Sequence, residues 1–214
     1  MAGLPFRDRV QAGAELAAAL RALELERPLV CAVPRGGVLT GAPIAAELGG
    51  ELDVIVVRKV GAPGNPELGL GAVGATGPPV IDEKLRAALR VLDEFLDREV
   101  AAQREEAARR VAAYRGDSPP PQVSGRDVVV CDDGIATGGT VVTAAALLRA
   151  QQPRRLVLAV PVAPAEGLAR VREAFDDTVC LYTPEPYFAV GQWYTDFHQV
   201  SDDEVRAILG TSGG

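Results

Sequence analysis

Residues 128–140 read VVVCDDGIATGGT, an apolar run that ends in two adjacent aspartates and is followed by a glycine-rich turn. A continuous apolar run is typical of a strand that is buried on both faces of a sheet. Glycines let a backbone close around an anion, and the first N–H groups of a following helix attract negative charge. These residues therefore predict a phosphate site at the carboxyl end of a buried strand.

The two aspartates, Asp132 and Asp133, lie a few residues before the predicted phosphate turn, residues 137–140. Carboxylates repel a phosphate but accept hydrogen bonds from sugar hydroxyls. A sugar phosphate satisfies both halves of the motif, with its phosphate beside Thr137 and Thr140 and its hydroxyls on the acids. The turn lacks the Gly-Lys-Ser/Thr of a P-loop and the glycine spacing of a dinucleotide site. A plain strand-to-helix turn without a ligand stays open as the alternative.

Similar apolar runs recur along the chain and alternate with segments whose apolar residues have helical spacing. This alternation predicts an α/β fold with a Rossmann-like parallel sheet flanked by helices. Ligands of such sheets bind beyond the carboxyl ends of the strands. The predicted strands cover residues 28–33, 52–57, 127–131, 156–160 and 178–182, and the predicted helices cover residues 7–25, 39–48, 139–151 and 165–175.

Composition and charge exclude several functional classes. The 214 residues carry a net charge of -7, which is the wrong sign for a general nucleic-acid binder. No run approaches the roughly 18 apolar residues of a membrane span, and the first residues do not read as a signal peptide, so we expect no membrane partner and a cytoplasmic location. One histidine and no Cys-x-x-Cys pair leave too few ligands for zinc. The cysteines Cys31, Cys131 and Cys180 are expected to be buried core residues.

Two segments interrupt the alternation within a single predicted domain, residues 1–214. Residues 60–79 are rich in glycine and proline and predict a flexible loop or hairpin whose one acid is Glu67. Residues 82–116 predict inserted helices that carry an apolar stripe on one face. That stripe favours packing against the body of the protein or formation of a homodimer.

At the motif of residues 128–140 the sequence resembles the type I phosphoribosyltransferases. It is similar to their signature for 5-phosphoribosyl-1-pyrophosphate (PRPP) at every position except Gly134, where a larger apolar residue or serine is usual. We expect this difference to loosen the loop and to leave the acids and the phosphate turn intact. The resemblance implies the type I phosphoribosyltransferase fold, PRPP as a substrate, and Mg²⁺ held by Asp132 and Asp133.

Residues 33–38, Val-Pro-Arg-Gly-Gly-Val, are similar to the family's pyrophosphate loop. The resemblance implies a cis peptide between Pro34 and Arg35. It also implies that pyrophosphate is bound by the Arg35 side chain and by the backbone of Gly36 and Gly37.

Arg58 and Lys59 are interpreted as the end of the second strand. A basic pair at this place in related enzymes faces pyrophosphate, while the following loop closes over the reactants. Residues 60–79 would then be a mobile lid that excludes water from the activated sugar. The alternative is a solvated basic pair at a strand end.

Residues 186–191, Pro-Tyr-Phe-Ala-Val-Gly, are similar to the hood segment of the purine-salvage members, where a Phe-x-Val-Gly stretch places an aromatic ring on the base, and residues 183–200 are therefore predicted to form a small C-terminal hood. Phe188 is the matching residue. Stacking on a flat base explains the aromatic residues that crowd this segment, and a hydrophobic cap over the sheet edge explains them equally well. His198 is predicted to pack or to form hydrogen bonds rather than to catalyse. The other crowded aromatic residues are Tyr187, Trp193, Tyr194 and Phe197.

The resemblance implies a glycosyltransferase of the pentosyl-transferring class that acts in nucleotide and nucleoside metabolism. It would transfer phosphoribosyl from PRPP to a nitrogenous base or another nitrogen nucleophile and release pyrophosphate. The acceptor stays open, because Ala136 replaces an aspartate of the purine-salvage members and residues 160–164 contain no lysine. A regulator that senses PRPP without turnover is the competing hypothesis. The predicted catalytic residues are Arg35, Lys59, Asp132 and Asp133, and the predicted PRPP-binding residues are Arg35, Gly36, Gly37, Arg58, Lys59, Asp132, Asp133, Ala136, Thr137, Gly138, Gly139 and Thr140.

Overall fold

The computed structural model describes residues 3–116 and 118–210, without the side chains of Pro66 and Glu67. The predicted loop acid Glu67 therefore lies outside the described side chains. The strands are β1 (Leu29–Ala32), β2 (Glu51–Val54), β3 (Arg58–Ala62), β4 (Asn65–Val73), β5 (Val80–Ile81), β6 (Asp127–Cys131), β7 (Arg155–Val162) and β8 (Asp177–Tyr182). The α-helices are α1 (Arg9–Leu20), α2 (Gly36–Leu48), α3 (Glu83–Ala88), α4 (Asp93–Arg115), α5 (Gly139–Arg149), α6 (Ala165–Val171) and α7 (Asp202–Leu209).

Five of the strands form a parallel sheet in the order β2-β1-β6-β7-β8. Alternate residues of each strand enter separate cores on the two faces. Val129 packs with α1 and α2, whereas Val128 and Val130 pack with α5 and α6. Burial on both faces explains the continuous apolar runs. The predicted α/β fold is confirmed.

A second, antiparallel sheet contains β3, β4 and β5, and it includes most of residues 60–79. Val60, Leu70 and Val73 are fully buried in a core that this sheet shares with α3 and α4. Of the two alternatives, a flexible loop or a hairpin, the structure therefore shows a hairpin, formed by β3 and β4, and the inserted helices supply the apolar partners that it lacks by itself. Its movement as a lid stays a prediction.

The basic pair Arg58 and Lys59 does not end the second strand, as the sequence had suggested. That strand stops at Val54, and Arg58 is the first residue of β3 in the other sheet. The valine-rich run continues through residues 55–57, but only Ile55 still bonds to β1, with its N–H donating to the Ala32 carbonyl at 2.9 Å. The apolar run therefore continues past the hydrogen-bonded strand.

The inserted helices use their apolar stripe within the chain. Leu96 packs on the second sheet, and Val111 joins the core on the α1 side of the main sheet. At the end of α4, Arg115 forms a mostly buried ion pair with Asp53 of β2. Packing against the body of the protein is confirmed for these residues, whereas Leu92, at the start of the same stripe, is 72% exposed, and a homodimer stays a prediction.

Cys31 and Cys131 are buried as expected, and Cys180 is partly buried. Over residues 3–116 and 118–210, no helix is both long enough and apolar enough to cross a lipid bilayer.

Candidate functional site

The loops that follow β1 and β6 lie against each other at the carboxyl edge of the main sheet. The Pro34–Arg35 peptide is cis, as the resemblance implies. A Cβ at Gly37 would lie 2.8 Å from the Cys131 carbonyl oxygen and 3.1 Å from the Asp132 Cα. Only glycine allows the predicted pyrophosphate loop to approach the signature strand this closely.

The predicted phosphate turn leads into α5 through Gly138, which has a φ of 81° and provides no capping side chain. A Cβ at this position would lie 2.2 Å from Val171 Cγ1. The first N–H groups of a helix have no partners within the helix, so an uncapped helix start can bind an anion. The residues around this helix start are Thr137, Gly139 and Thr140. Thr137 and Gly139 are exposed, whereas Gly138 is covered by α6.

The two signature acids are mostly buried and lie in contact. The Asp133 N–H donates to Asp132 Oδ1 at 2.9 Å. Burial, followed by the charge of Asp133, raises the pKa of Asp132 well above its usual range. Burial also raises the pKa of Asp133, although the guanidinium of Arg9 acts in the opposite direction. Two carboxyl groups are thus held together at an electrostatic cost, which is typical of a functional site.

Arg9 is a site residue that the sequence analysis did not identify. Its Nε donates to Asp133 Oδ2 at 2.7 Å, and its Nη1 donates to the His198 carbonyl at 3.0 Å. The guanidinium carbon lies 3.8 Å from the centre of the Phe197 ring. Since Arg9 and Asp133 are 124 residues apart, no local spacing could have revealed the pair.

The hood is attached to the N-terminal segment through an aromatic cluster. The Phe6 N–H donates to the Trp193 carbonyl, and the buried Phe6 ring contacts Tyr194. The Tyr194 hydroxyl donates to the Asp133 carbonyl at 2.5 Å. Four of the five crowded aromatic residues therefore form a hydrophobic cap, and they are Tyr187, Trp193, Tyr194 and Phe197.

Phe188 differs from these four residues because it is 82% exposed. Its ring is free to contact a ligand, and its contact with a base stays a prediction. His198 forms hydrogen bonds as predicted, since its Nδ1 lies 3.1 Å from Asp196 and its Nε2 lies 3.0 Å from Glu204.

Gly134, the exception in the signature, accommodates the hood. Its φ is 155°, and a Cβ there would lie 2.6 Å from Val190 Cγ1 and 2.9 Å from Val162 Cγ2. Gly134 therefore fits the signature loop tightly against the hood instead of loosening it.

Two clefts converge on Thr140. The larger, of about 880 Å³, lies between the second sheet and α5 and is lined by Lys59, Thr137, Gly139 and Thr140. The smaller cleft has a volume of about 490 Å³, and its lining includes Arg35 and Thr140. The two predicted catalytic cations thus lie on either side of the predicted phosphate turn.

The inserted helix α4 contributes to the smaller cleft with Arg109, Arg110 and Tyr114, which the sequence analysis had interpreted only as part of a packing helix. Asp202 of α7 lines it too, accepting a hydrogen bond from the Tyr114 hydroxyl at 3.0 Å and lying 3.6 Å from Arg35. This side of the site is therefore rich in arginine, although the whole chain is acidic.

The structure brings most of the predicted site residues to one edge of the sheet, but Arg58 lines neither of the two clefts. Its Nε donates to Gln103 of α4 at 3.1 Å. Arg58 joins the second sheet to the inserted helix. The residues that converge are Arg35, Gly36, Gly37, Lys59, Asp132, Asp133, Ala136, Thr137, Gly138, Gly139 and Thr140.

The acids provide oxygen ligands, which Mg²⁺ prefers. Among the residues described, no group of three or more histidine, cysteine or acidic side chains surrounds a common point. A pair of carboxylates suits a magnesium ion that takes its other ligands from substrate phosphates and water.

Known proteins share this architecture. The family described as "Phosphoribosyl transferase domain" matches residues 6–192. A Mycobacterium tuberculosis H37Rv protein assigned to the phosphoribosyl transferases, Rv0571c, is 41% identical over 204 residues, which are 95% of this chain and 46% of the relative. The chain therefore spans about half the length of that relative.

A uracil phosphoribosyltransferase of Kineococcus radiotolerans is 35% identical over 113 residues, or 49% of this chain and 53% of the relative. The crystal structure of TT1426 from Thermus thermophilus is 48% identical, covers 96% of this chain and 98% of its own, and superposes with a TM-score of 0.85. With the family match spanning residues 6–192 and the mycobacterial relative covering almost the whole chain, the protein belongs to the phosphoribosyl transferase domain family.

Proposed function

We propose that the protein binds PRPP with Mg²⁺ and transfers its phosphoribosyl group to a nitrogenous base or another nitrogen nucleophile, with release of pyrophosphate. The observation that carries this proposal is the position of Thr140, which lines one cleft with Arg35 and the other with Lys59. A 5′-phosphate in the turn would lie between two cations that can face the pyrophosphate group.

In this proposal the turn at residues 137–140 binds the 5′-phosphate through backbone N–H groups and threonine hydroxyls. The carboxylates of Asp132 and Asp133 accept hydrogen bonds from the ribose hydroxyls. Positive charge develops at C1 of the ribose as pyrophosphate leaves, and the acceptor nitrogen attacks the opposite face. The task of the protein is to align the partners and to stabilise the leaving charge.

Arg35 and Lys59 are the residues proposed to stabilise that charge, and Arg109 and Arg110 add positive charge to the cleft that Arg35 lines. Asp132 and Asp133 would hold Mg²⁺ together with substrate oxygens. When bound, Mg²⁺ supplies Lewis-acid neutralisation of the pyrophosphate.

The acceptor is proposed only as a class. The partial likeness to a uracil phosphoribosyltransferase and the exposed Phe188 ring support a flat nitrogenous base. Ala136 provides no side chain for proton transfer to a purine. A role in nucleotide metabolism in the cytoplasm follows from this class of reaction and is proposed with it.

Calorimetry with PRPP and Mg²⁺ tests the proposal. We expect saturable binding to the wild-type protein and a loss of at least about 100-fold in affinity in the double variant Asp132→Asn, Asp133→Asn. Asp127→Asn is the matched control, because Asp127 is a buried carboxylate at the opposite end of β6. Unchanged affinity in the double variant would remove the site assignment.

Turnover is tested by measuring pyrophosphate release with a panel of purines, pyrimidines and simple amines. Release with one acceptor supports the transferase. Tight PRPP binding without release on any acceptor would favour a sensor of PRPP instead.

A further inference from the structure

The contacts of Arg9 join three parts of the site that are distant in sequence. Its guanidinium binds the Asp133 carboxylate of the signature, and it binds the His198 carbonyl and contacts the Phe197 ring in the hood. It also lies against the pyrophosphate loop, because a Cβ at Gly36 would be 3.0 Å from Arg9 Nε and 2.0 Å from Asp133 Oδ2. The ion pair therefore fills the space directly beside Gly36.

Helix stability does not explain an arginine at this position. Arg9 is the first residue of α1, where the helix dipole disfavours a positive charge. The Arg9 side chain is only 6% exposed, and burying a guanidinium costs more free energy than burying an apolar side chain of similar volume. The first turn of α1 is already capped by Asp8, whose side chain accepts a hydrogen bond from the Gln11 N–H.

The planar guanidinium explains the choice of residue. Arginine can donate in fixed directions to a carboxylate and to a carbonyl while its face packs on an aromatic ring. Here the Arg9 Nε–H donates a hydrogen bond to Asp133 Oδ2, and this bond fixes the rotation of the Asp133 carboxyl group. A fixed carboxylate next to Asp132 can meet a ribose hydroxyl without first losing rotational freedom.

We propose that Arg9 is a positioning residue that holds the Asp133 carboxylate in the orientation that binds ribose and connects it to the hood. This inference rests on the proposed PRPP-binding function. The expected size of the effect is that of a group that orients a ligand-binding carboxylate, about 10- to 100-fold in affinity or rate.

The experiment compares PRPP affinity, measured by calorimetry with Mg²⁺, in the wild-type protein, Arg9→Gln, Arg9→Lys and Arg154→Gln. Arg154 is the matched control, because its Nε donates to the buried Asp127 at 2.8 Å at the opposite edge of the sheet. We expect a loss of about 10- to 100-fold for Arg9→Gln, an intermediate loss for Arg9→Lys, and wild-type affinity for Arg154→Gln. Lysine keeps the charge but cannot donate in the two fixed directions.

A double-mutant cycle then tests whether Arg9 acts through Asp133. In an Asp133→Asn background, Arg9→Gln should change the affinity by less than about twofold, because the group that it positions has been replaced. Additive losses would overturn the inference, as would unchanged affinity in Arg9→Gln or an equal loss in Arg154→Gln.

Thermal unfolding of each variant separates a binding defect from a folding defect. If Arg9→Gln does not fold, Arg9→Lys and its cycle with Asp133→Asn carry the same test. Absence of PRPP binding by the wild-type protein would instead overturn the proposed function. Normal wild-type binding with insensitive Arg9 variants would overturn only the role of Arg9.

Discussion

The two edges of the parallel sheet each contain an arginine paired with a buried aspartate, but the pairs differ in exposure. At the amino edge, the Asp127 side chain is 1% exposed while Arg154 is 49% exposed. At the carboxyl edge, the side chains of Asp133 and Arg9 are 15% and 6% exposed. The cation at the amino edge stays hydrated, whereas both charges at the carboxyl edge are removed from water.

This difference is reflected in the direction of the pKa shifts. The hydrogen bond from Arg154 lowers the pKa of Asp127 below its usual value. Burial raises the pKa of Asp133 in spite of Arg9, and it raises the pKa of Asp132 further. The ionised acid at the amino edge stabilises the fold, whereas the acids at the carboxyl edge cost stability at neutral pH. Such a cost is expected where charge is kept for binding.

The strongest test of this comparison is Asp132→Asn. We expect PRPP affinity to fall by about 10²–10³-fold, and the melting temperature at pH 7 to rise by about 2–4 °C, because the unfavourable burial of an ionisable carboxyl group is removed. The matched variant at the amino edge, Asp127→Asn, should bind PRPP normally and melt at a lower temperature. Calorimetry and thermal unfolding measure the two properties. A fall in melting temperature for Asp132→Asn would contradict the comparison.

The next largest effect is expected from glycine-to-alanine substitutions that add one methyl group at each edge of the parallel sheet. In Gly36→Ala the new Cβ would lie 2.0 Å from Asp133 Oδ2, and in Gly50→Ala it would lie 2.3 Å from the Pro28 carbonyl oxygen at the amino edge. Both variants should be less stable because of overpacking, but only Gly36→Ala should lose PRPP affinity, by about 10- to 100-fold. Equal affinities in the two variants would show that the position of Asp133 is unimportant for binding.

A smaller effect is expected from a pair of glycines with positive φ. Gly125 lies before β6 at the amino edge, and a Cβ there has no neighbour within 4 Å, whereas Gly134 is crowded by Val190. Gly125→Ala should cost about 1 kcal/mol from backbone strain alone. Gly134→Ala should cost about 1–3 kcal/mol more, from overpacking together with the strain of its φ of 155°, and Val190→Ala in the same chain should restore the part that is due to overpacking. Denaturant unfolding measures these values, and equal costs would refute the tight fit between the loop and the hood.

The smallest effect is a dependence of stability on pH. The folded-state pKa of Asp127 lies below the unfolded value of about 3.9, so its pair stabilises the protein above that pH and is lost as the pH falls through the folded pKa. The folded-state pKa of Asp132 lies above the unfolded value, so its contribution to stability improves as the pH falls from the folded pKa towards about 3.9. Arg154→Gln should therefore reduce the loss of stability at acidic pH. Asp132→Asn should remove the gain in stability that is expected as the pH falls from the folded-state pKa of Asp132 towards about 3.9. Melting temperatures between pH 7 and pH 3 test both signs.

The parallel sheet and the signature loop were predictable because their signals are local. Residues 128–131 carry an uninterrupted apolar run, and the acids and glycines follow within nine positions. The cis peptide at Pro34 was predictable from the resemblance of its loop. In residues 60–79 the sequence indicated a loop or a hairpin but not a buried sheet, because the glycine-rich strands join a core only under α3 and α4.

The contribution of the inserted helix to the site could not be predicted for the same reason: it depends on contacts between distant parts of the chain. Arg109 and Arg110 read as ordinary charges on an amphipathic helix until the fold places them beside Arg35. Arg58 was expected beside Lys59 in the site, but adjacent residues of a strand point to opposite faces, and Arg58 meets Gln103 instead. Adjacent positions in the sequence therefore did not bring Arg58 and Lys59 into the same cleft.

The layered α/β fold, the turn at residues 137–140 and the pair of acids near it are predictable from local patterns, because each depends on hydrophobic spacing or backbone freedom within a few consecutive residues. Three features arise only when the chain folds: the ion pair between Arg9 and Asp133, the arginine-lined cleft beside the inserted helix, and the contact between the hood and Gly134. These contacts join residues far apart in the chain, and their free energies depend on burial, which exists only after the chain has folded.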